Sequence, residues 1–340
     1  MKNFFRKVAF GLKPEEKAPS DPLTWAQKQV ETVPELNWKG KYILSEKEMR
    51  KHWIKQRVEE NTTLRKKFKN DPQGLRIAEK KLQNDSGAKF WPNNEICIRH
   101  AEAVRSNTPV LAKLWYFWTN HFTISQTQRL HQFSTGAYQR EFIRANMDKT
   151  FETMAIEGTI AWPMMMHLDN KDNVGPKSIS GKEDWRKKEN EPATINENHA
   201  RELMELHTVS PKAGYTQEDV MGLAKIMTGW RPKWTKKSDQ GTDIRFMSKR
   251  HEPGKKYVFG KEYKAGKKSL KIVIKDLVNH PSCREFIATK LCRYLITDKP
   301  TKEMTAPIIK AWEKSDGHLP EVHKAAIKVA FEYNDKYQKF

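Results

Sequence analysis

The chain has 340 residues and carries 63 Lys and Arg against 42 Asp and Glu, a net charge of +21. Its 37% hydrophobic content, with eleven tryptophans and fifteen phenylalanines, supplies the anchors of a folded core and excludes a disordered chain. No run approaches the roughly eighteen apolar residues of a membrane-spanning helix.

The opening "MKNFFRKVAFGLKPEEK" is basic, but Arg6 and Lys7 cut its apolar run and no small-residue cleavage site follows. A cytoplasmic location without a secretion signal is the expectation. The cysteines are Cys97, Cys283 and Cys292. The last two sit in one expected helix, roughly 13 Å apart at helical rise and too far to bridge, which fits a reduced interior.

Taken in chain order, the helical period dominates. "SEKEMRKHWIKQRVEENTTLRKKF" opens with Ser45 and Glu48 in capping-box spacing and predicts a long charged helix. In "NTPVLAKLWYFWTNHFTIS", Pro109 marks a helix start, and Leu111, Leu114, Trp115 and Trp118 form one apolar stripe. "AYQREFIRANMDKTFETMAIEG" continues the pattern. The methionines of "AWPMMMHL" read as core. Residues 170–193 are polar and rich in Gly, Pro and Ser, which predicts an exposed loop. Helices follow over "NENHARELMELHT", beginning at a Thr194–Glu197 capping box, and over "YTQEDVMGLAKIMTGW", where Thr216 and Asp219 have cap spacing. Residues 244–263 alternate weakly around Gly-containing turns and predict a small β-hairpin. "HPSCREFIATKLCRYLI" and "LPEVHKAAIKVAFEYN" close the chain as helices. The expected fold is mainly α, one multi-helix domain over 1–340.

"NENHARELMELHT" concentrates candidate chemistry. At about 100° per residue, Ile195, Ala200, Leu203, Met204 and Leu206 share an apolar arc, and Glu197, Asn198, Arg201, Glu202 and Glu205 share the other. Glu197, Arg201 and Glu205 form an ordinary i, i+4, i+8 surface ladder. Glu202 lies at the seam, with Asn198 one turn back. There it is either a half-desolvated acid/base carboxylate or a structural, hydrogen-bonded one. His199 projects from the apolar arc and reads as a packed core residue. His207 reads as a cation favoured by the helix C-terminus. His121, after Asn120 at the end of the Trp-rich helix, is either a base or ligand or a histidine bonded to a carbonyl. Asp169 and Asn170 either line a site or turn the chain. His251, Lys255 and Lys256 sit in a glycine-containing turn that suits an anionic group.

No HExxH, paired CxxC, D-x-D-x-D-G or G-x-S-x-G motif is present. A metal held jointly by His121, Asp169, Glu202 and His251 stays open, and no cofactor is indicated. Two functional readings follow. One is an enzyme, hydrolytic in type, with Glu202, His121, Asp169 and His251 as catalytic residues and Asn120, Asn170, Asn198, Lys255 and Lys256 binding substrate. The other is a non-catalytic module that binds a polyanion through 233–271, where thirteen Lys and Arg stand against four Asp and Glu. A lysine-rich surface that only keeps the protein in solution would show the same charge.

"FGLKP", "FWTNHFTIS", "MMMHLDN", "NENHARELMELHT", "GYTQEDVMGLAKIMTGW", "RHEPGKKYVFGKEY" and "HPSCREFIATKLCRYL", in this order, resemble the family catalogued as domain of unknown function 1800. Glu252 stands where that family usually has aspartate after the histidine, and "VSPKAGY" replaces a shorter Leu-Gly turn. The resemblance implies a mostly helical bacterial protein, often encoded beside a phosphatase- or sulfatase-like companion that would be its partner. It implies no reaction.

Overall fold

The computed structural model describes residues 2–36, 38, 43–55, 60–85, 90–125, 129–183, 195–232 and 244–335. The described residues form seventeen α-helices and four short strands. Helix α1 (Lys2–Val8) buries Phe4, Phe5 and Val8, and Phe4 meets Phe331 edge-on at 5.1 Å. Helices α2 (Pro22–Lys28), α3 (Glu46–Ile54), α4 (Asn61–Lys67), α5 (Pro72–Asp85) and α6 (Trp91–Arg105) follow. The Ser45 capping box opens α3, with both reciprocal bonds made. The expected long helix is described as α3 and α4, with 56–59 outside the described residues.

Helix α7 (Pro109–His121) starts at Pro109, as its sequence predicts, and runs through the core. Its Trp115 indole donates to Gln139 O at 2.9 Å and its Trp118 indole to His323 Nε2 at 2.9 Å. The stretch 137–158 is not one helix. α8 (Arg129–Tyr138) passes into a π turn at Gln139–Ile143 and a 3-10 turn at Arg144–Asn146 before α9 (Phe151–Ile160). The break has two causes. Arg140 is drawn aside into a bidentate pair with buried Glu95, and Thr150 caps α9 by accepting from Thr153 N at 3.2 Å. Helix α10 (Trp162–His167) then buries Met164, Met165 and Met166.

The expected exposed loop at 170–193 is only partly a surface feature. Residues 170–183 include a 3-10 turn at Asn170–Asp172 and helix α11 (Ile179–Lys182). Asn170, Asn173, Val174 and Ser178 are buried, because the side chains of Asn170 and Asn173 find backbone acceptors inside the molecule. Residues 184–194, with the Thr194 cap, lie outside the described residues. Helix α12 (Asn198–Glu202) continues as a π turn over Leu203–His207, and α13 (Gln217–Met227) opens with the full Thr216–Asp219 capping box.

The alternating region 244–263 is split between two antiparallel ribbons: its first strand β2 (Ile244–Phe246) pairs with β1 (Trp230–Pro232), which lies before it, and β3 (Lys256–Val258) pairs with β4 (Lys261–Tyr263). The β3–β4 pair is the expected hairpin. Its turn places Phe259 at φ 49° and Gly260 at φ 71°, the two positive values of a type I′ turn. Phe259 tolerates the strain because its N–H donates to Asp219 Oδ1 at 2.6 Å and its ring stacks on His280 at 4.9 Å. Helices α14 (Lys268–Asn279), α15 (Pro281–Leu295), α16 (Lys302–Ser315) and α17 (Leu319–Glu332) complete the chain. One continuous apolar core takes in residues from Phe4 to Ala330, and a small second cluster joins Met49, Trp91 and Ala137. Among the described residues no helix is long and apolar enough to cross a membrane. Cys283 and Cys292 are buried free thiols.

Candidate functional site

The segment "NENHARELMELHT" is helical at both ends but not α throughout. Asn196 Oδ1 accepts from Asn198 N at 3.0 Å and starts the helix, and Glu197 pairs with Arg201 at 2.5 Å, as the i, i+4 ladder predicts. The π turn at Leu203–His207 then changes the register. A wider turn advances each residue by less than 100°, so the α projection fails beyond Glu202. Leu206, expected on the apolar arc, is 46% exposed, while His207 is buried. Thr208 Oγ1 donates to Leu203 O at 2.6 Å and Ser210 N to Met204 O at 2.9 Å, which satisfies carbonyls that the turn releases.

This register builds a buried histidine cluster. His121 from α7 and His207 from the π turn face each other with ring centroids 6.1 Å apart, against Phe122 and Phe151. His121 Nε2 lies 3.1 Å from His207 O, a carbonyl that can only accept, so Nε2 carries the hydrogen. His121 Nδ1 is then a lone pair, and Lys290 Nζ from α15 donates to it at 2.8 Å. Burial, then the nearby Lys290 charge, hold His121 well below the usual histidine range. Burial holds His207 and His199 at about 3. His207 is therefore a neutral core residue, not a charged helix end. His199 is fully buried, as its place on the apolar arc predicts, and neither of its ring nitrogens has a hydrogen-bond partner among the described residues. His167, at the end of α10, is lowered by burial and raised by Asp169, and it adds to the field at His199 and His207. Lys290 itself is pushed down to about 8 by burial, with Phe286 5.1 Å from its nitrogen.

A second polar cluster is a knot of backbone capping. Asn170 Nδ2 donates to Met227 O at 3.3 Å and Trp230 O at 2.8 Å, and Asn173 Nδ2 donates to Ala224 O at 2.9 Å. These bonds hold the C-terminal end of α13 and the start of β1. Asn196 joins them, through its amide group to Asp169 O at 3.4 Å and its N–H to Asn173 Oδ1 at 3.3 Å. Asp169 has a left-handed backbone (φ 56°), and its half-exposed carboxylate pairs with Lys171.

His251 closes the far side. Its Nδ1 donates to Thr228 O at 2.9 Å, so Nε2 is the acceptor, and it receives Gly266 N–H at 3.0 Å and faces Lys256 Nζ at 3.3 Å. Both nitrogens are committed. Lys256 is buried, bonded also to the carbonyls of Glu252 and Gly254, and burial lowers it to about 8. It is not a surface contact for a polyanion, because its nitrogen caps the turn from inside. Glu252 Oε2 accepts from Lys177 N at 2.9 Å.

The sequence-predicted residues thus fall into separate environments. His121 belongs to the histidine cluster, and Asp169 acts on its margin through its charge on His167. His251 and Lys256 form the turn core, and Asn170 the capping knot. Glu202 is half-buried on the outer side of α12. Its carboxyl is raised by burial and by Glu205, with Arg201 opposing, and Tyr215 is the neighbour that feels both carboxylates. Asn120 and Asn198 are exposed, and exposed Lys255 pairs with Glu262 at 2.8 Å. Among the described residues no group of three His, Cys, Asp or Glu is placed to hold a metal ion. Lys290 and the partnership of His121 with His207 were missed. A signal existed for Lys290, which lies three and four residues after Ile287 and Phe286 on the inward stripe of α15.

No curated protein and no solved structure matches the chain. One family does, over residues 3–340, and it is described as protein of unknown function (DUF1800). The match spans the residues that build the capping knot, the histidine cluster and the His251 turn, and the chain belongs to the DUF1800 family.

Proposed function

We propose that the protein is an enzyme of hydrolytic type in which Lys290 is the general base and His121 orients it. One observation carries this reading: the Lys290 nitrogen donates to a neutral, buried imidazole at 2.8 Å and has no ion pair with a carboxylate among the described residues. An amine drawn out of water without a counter-ion loses its proton near pH 8 instead of near pH 10.4, so a useful fraction is neutral at physiological pH. His121 gives its own hydrogen to His207 O, so it offers Lys290 only a lone pair. A neutral Lys290 keeps one N–H on that lone pair and turns its own lone pair elsewhere. There it can take a proton from a water attacking an acyl centre. Protonation of His121 would set two cations against each other, and burial opposes it.

Competitive acetylation across pH 6–11, read by peptide mapping, tests the amine. Lys290 should reach half reactivity near pH 8. Hydrolysis of a panel of carboxylate, phosphate and sulfate esters tests the chemistry. Lys290→Met should lower the rate by about 10²–10⁴ with little change in melting temperature. Half reactivity near pH 10, turnover of no ester, or an unchanged rate in Lys290→Met would overturn the assignment.

Polyanion binding is the second reading, favoured by the exposed Lys264, Lys267, Lys268 and Lys271, which make no ion pair among the described residues. Changing all four to Gln should lower the salt slope of heparin binding by close to one unit per lost contact. An unchanged slope places the binding elsewhere.

A further inference from the structure

A cavity of about 320 Å³ lies away from the histidine cluster, bounded by α3, the π turn at Gln139–Ile143, α9, α10, β1, β2 and the start of α14. Its apolar walls are Trp162, Trp230, Phe142, Ile160 and Ile244. Two of these, Trp162 and Trp230, are almost wholly buried, so the floor is part of the core and not a surface dimple. Trp230 also keeps a buried indole N–H with no partner among the described residues. An apolar hole of about 150 Å³ holds a benzene ring, and small-molecule sites begin at about 300 Å³. This volume suits a ligand of roughly two fused rings.

The charges on its wall decide the rest. Arg50 is paired with Glu46 at 2.6 Å inside the wall and carries little free charge. Lys267 and Lys271 stand one helical turn apart, are exposed, and make no ion pair among the described residues. Glu157 is likewise exposed and unpaired there. The accessible charge is therefore two cations against one anion. We propose that this cavity is a binding site for a small aromatic or alicyclic molecule that carries a single anionic group. The ring system fills the space between the two indoles, and the anion sits at the mouth between Lys267 and Lys271. This site is independent of Lys290 and of the hydrolytic reading.

Calorimetry with naphthalene-2-sulfonate and its neutral counterpart 2-naphthol tests it on the full chain. The sulfonate should bind one to one and about tenfold more tightly than the naphthol. In the double variant Lys267→Gln, Lys271→Gln that preference should disappear while naphthol binding stays. Glu157→Gln, which removes the opposing charge, should tighten the sulfonate by about two- to threefold. Ile160→Trp, filling the space, should abolish binding of both. Binding of neither probe, equal affinity for the two, or a sulfonate affinity unchanged in the double lysine variant would overturn the proposal. So would binding of many sulfonates per chain, which is the mark of diffuse attraction to the basic surface. The lysine and glutamate variants lie on exposed positions, so the outcome does not depend on whether Ile160→Trp folds.

Discussion

Asn170 looks like a site residue in sequence, next to an aspartate at the end of an apolar run, yet its amide is spent on two main-chain carbonyls, Met227 O and Trp230 O. It is fully enclosed, so either carbonyl would lose its partner without gaining water. Asn170→Ala should cost about 1–3 kcal/mol, and Asn170→Asp more, because it also places a carboxylate against those acceptors. Urea unfolding of the two variants checks the order. Asn170→Asp as stable as the parent would remove the capping role. His251 makes the same point. Its sequence context suggested catalysis, but the direction of one hydrogen bond, to a carbonyl that cannot donate, fixes its tautomer and occupies the other nitrogen.

At the scale of elements, close approach and register decide what a residue does. Gly222 of α13 lies against β3 so tightly that a Cβ there would stand 1.9 Å from Tyr257 O. Gly260, in the same hairpin, has open space around it but φ of +71°. Gly260→Ala should therefore cost about 1 kcal/mol of backbone strain. Gly222→Ala must push helix from strand and should cost well above that. Thermal melts that ranked Gly260→Ala as the more damaging would contradict this packing. The π turn gives a second comparison. Leu206→Lys should change stability by no more than about 0.5 kcal/mol, since Leu206 is exposed, whereas an α register would bury it and make the substitution severe. The four-residue break at 147–150 and the π turns were illegible because no local propensity marks them. Arg140 finds its partner, Glu95, 45 positions away, while Thr208 and Ser210 close the second π turn on the carbonyls of Leu203 and Met204 that it releases.

At the scale of the whole molecule, the buried histidines couple the fold to pH. His199, His207 and His323 are each held at about 3 by burial. An unfolded histidine titrates near 6.5, so on acidification the unfolded chain takes up protons first. Their contribution is full above about pH 6.5 and is lost as pH falls from there toward about 3. Each loses about 1.4 kcal/mol per pH unit, and three together about 4, against a typical total of 5–15 kcal/mol. Cooperative unfolding between about pH 4 and 5, followed by tryptophan fluorescence, is the expected result. His121, also held well below the usual range, adds to the same slope, so His199→Leu should reduce it by about a quarter. Stability that stays level from pH 7 to 4 would show that these rings are hydrated or charged in the folded state.

The sequence by itself determined the helical class, the hairpin, the caps at Ser45 and Thr216, and the start of α7 at Pro109, because periodicity, capping and turn chemistry act within a few residues. It also carried the family, through motifs spread over the whole chain. Only the tertiary structure decided which polar residues meet. Lys290 reaches His121 across 169 positions of sequence, and Asn170 reaches Trp230 across sixty. Such pairings depend on how helices pack and on which nitrogen of a ring faces a carbonyl. Neither leaves a trace in local pattern, so residues of one chemical type came to form a buried Lys–His hydrogen bond in one place and caps in another.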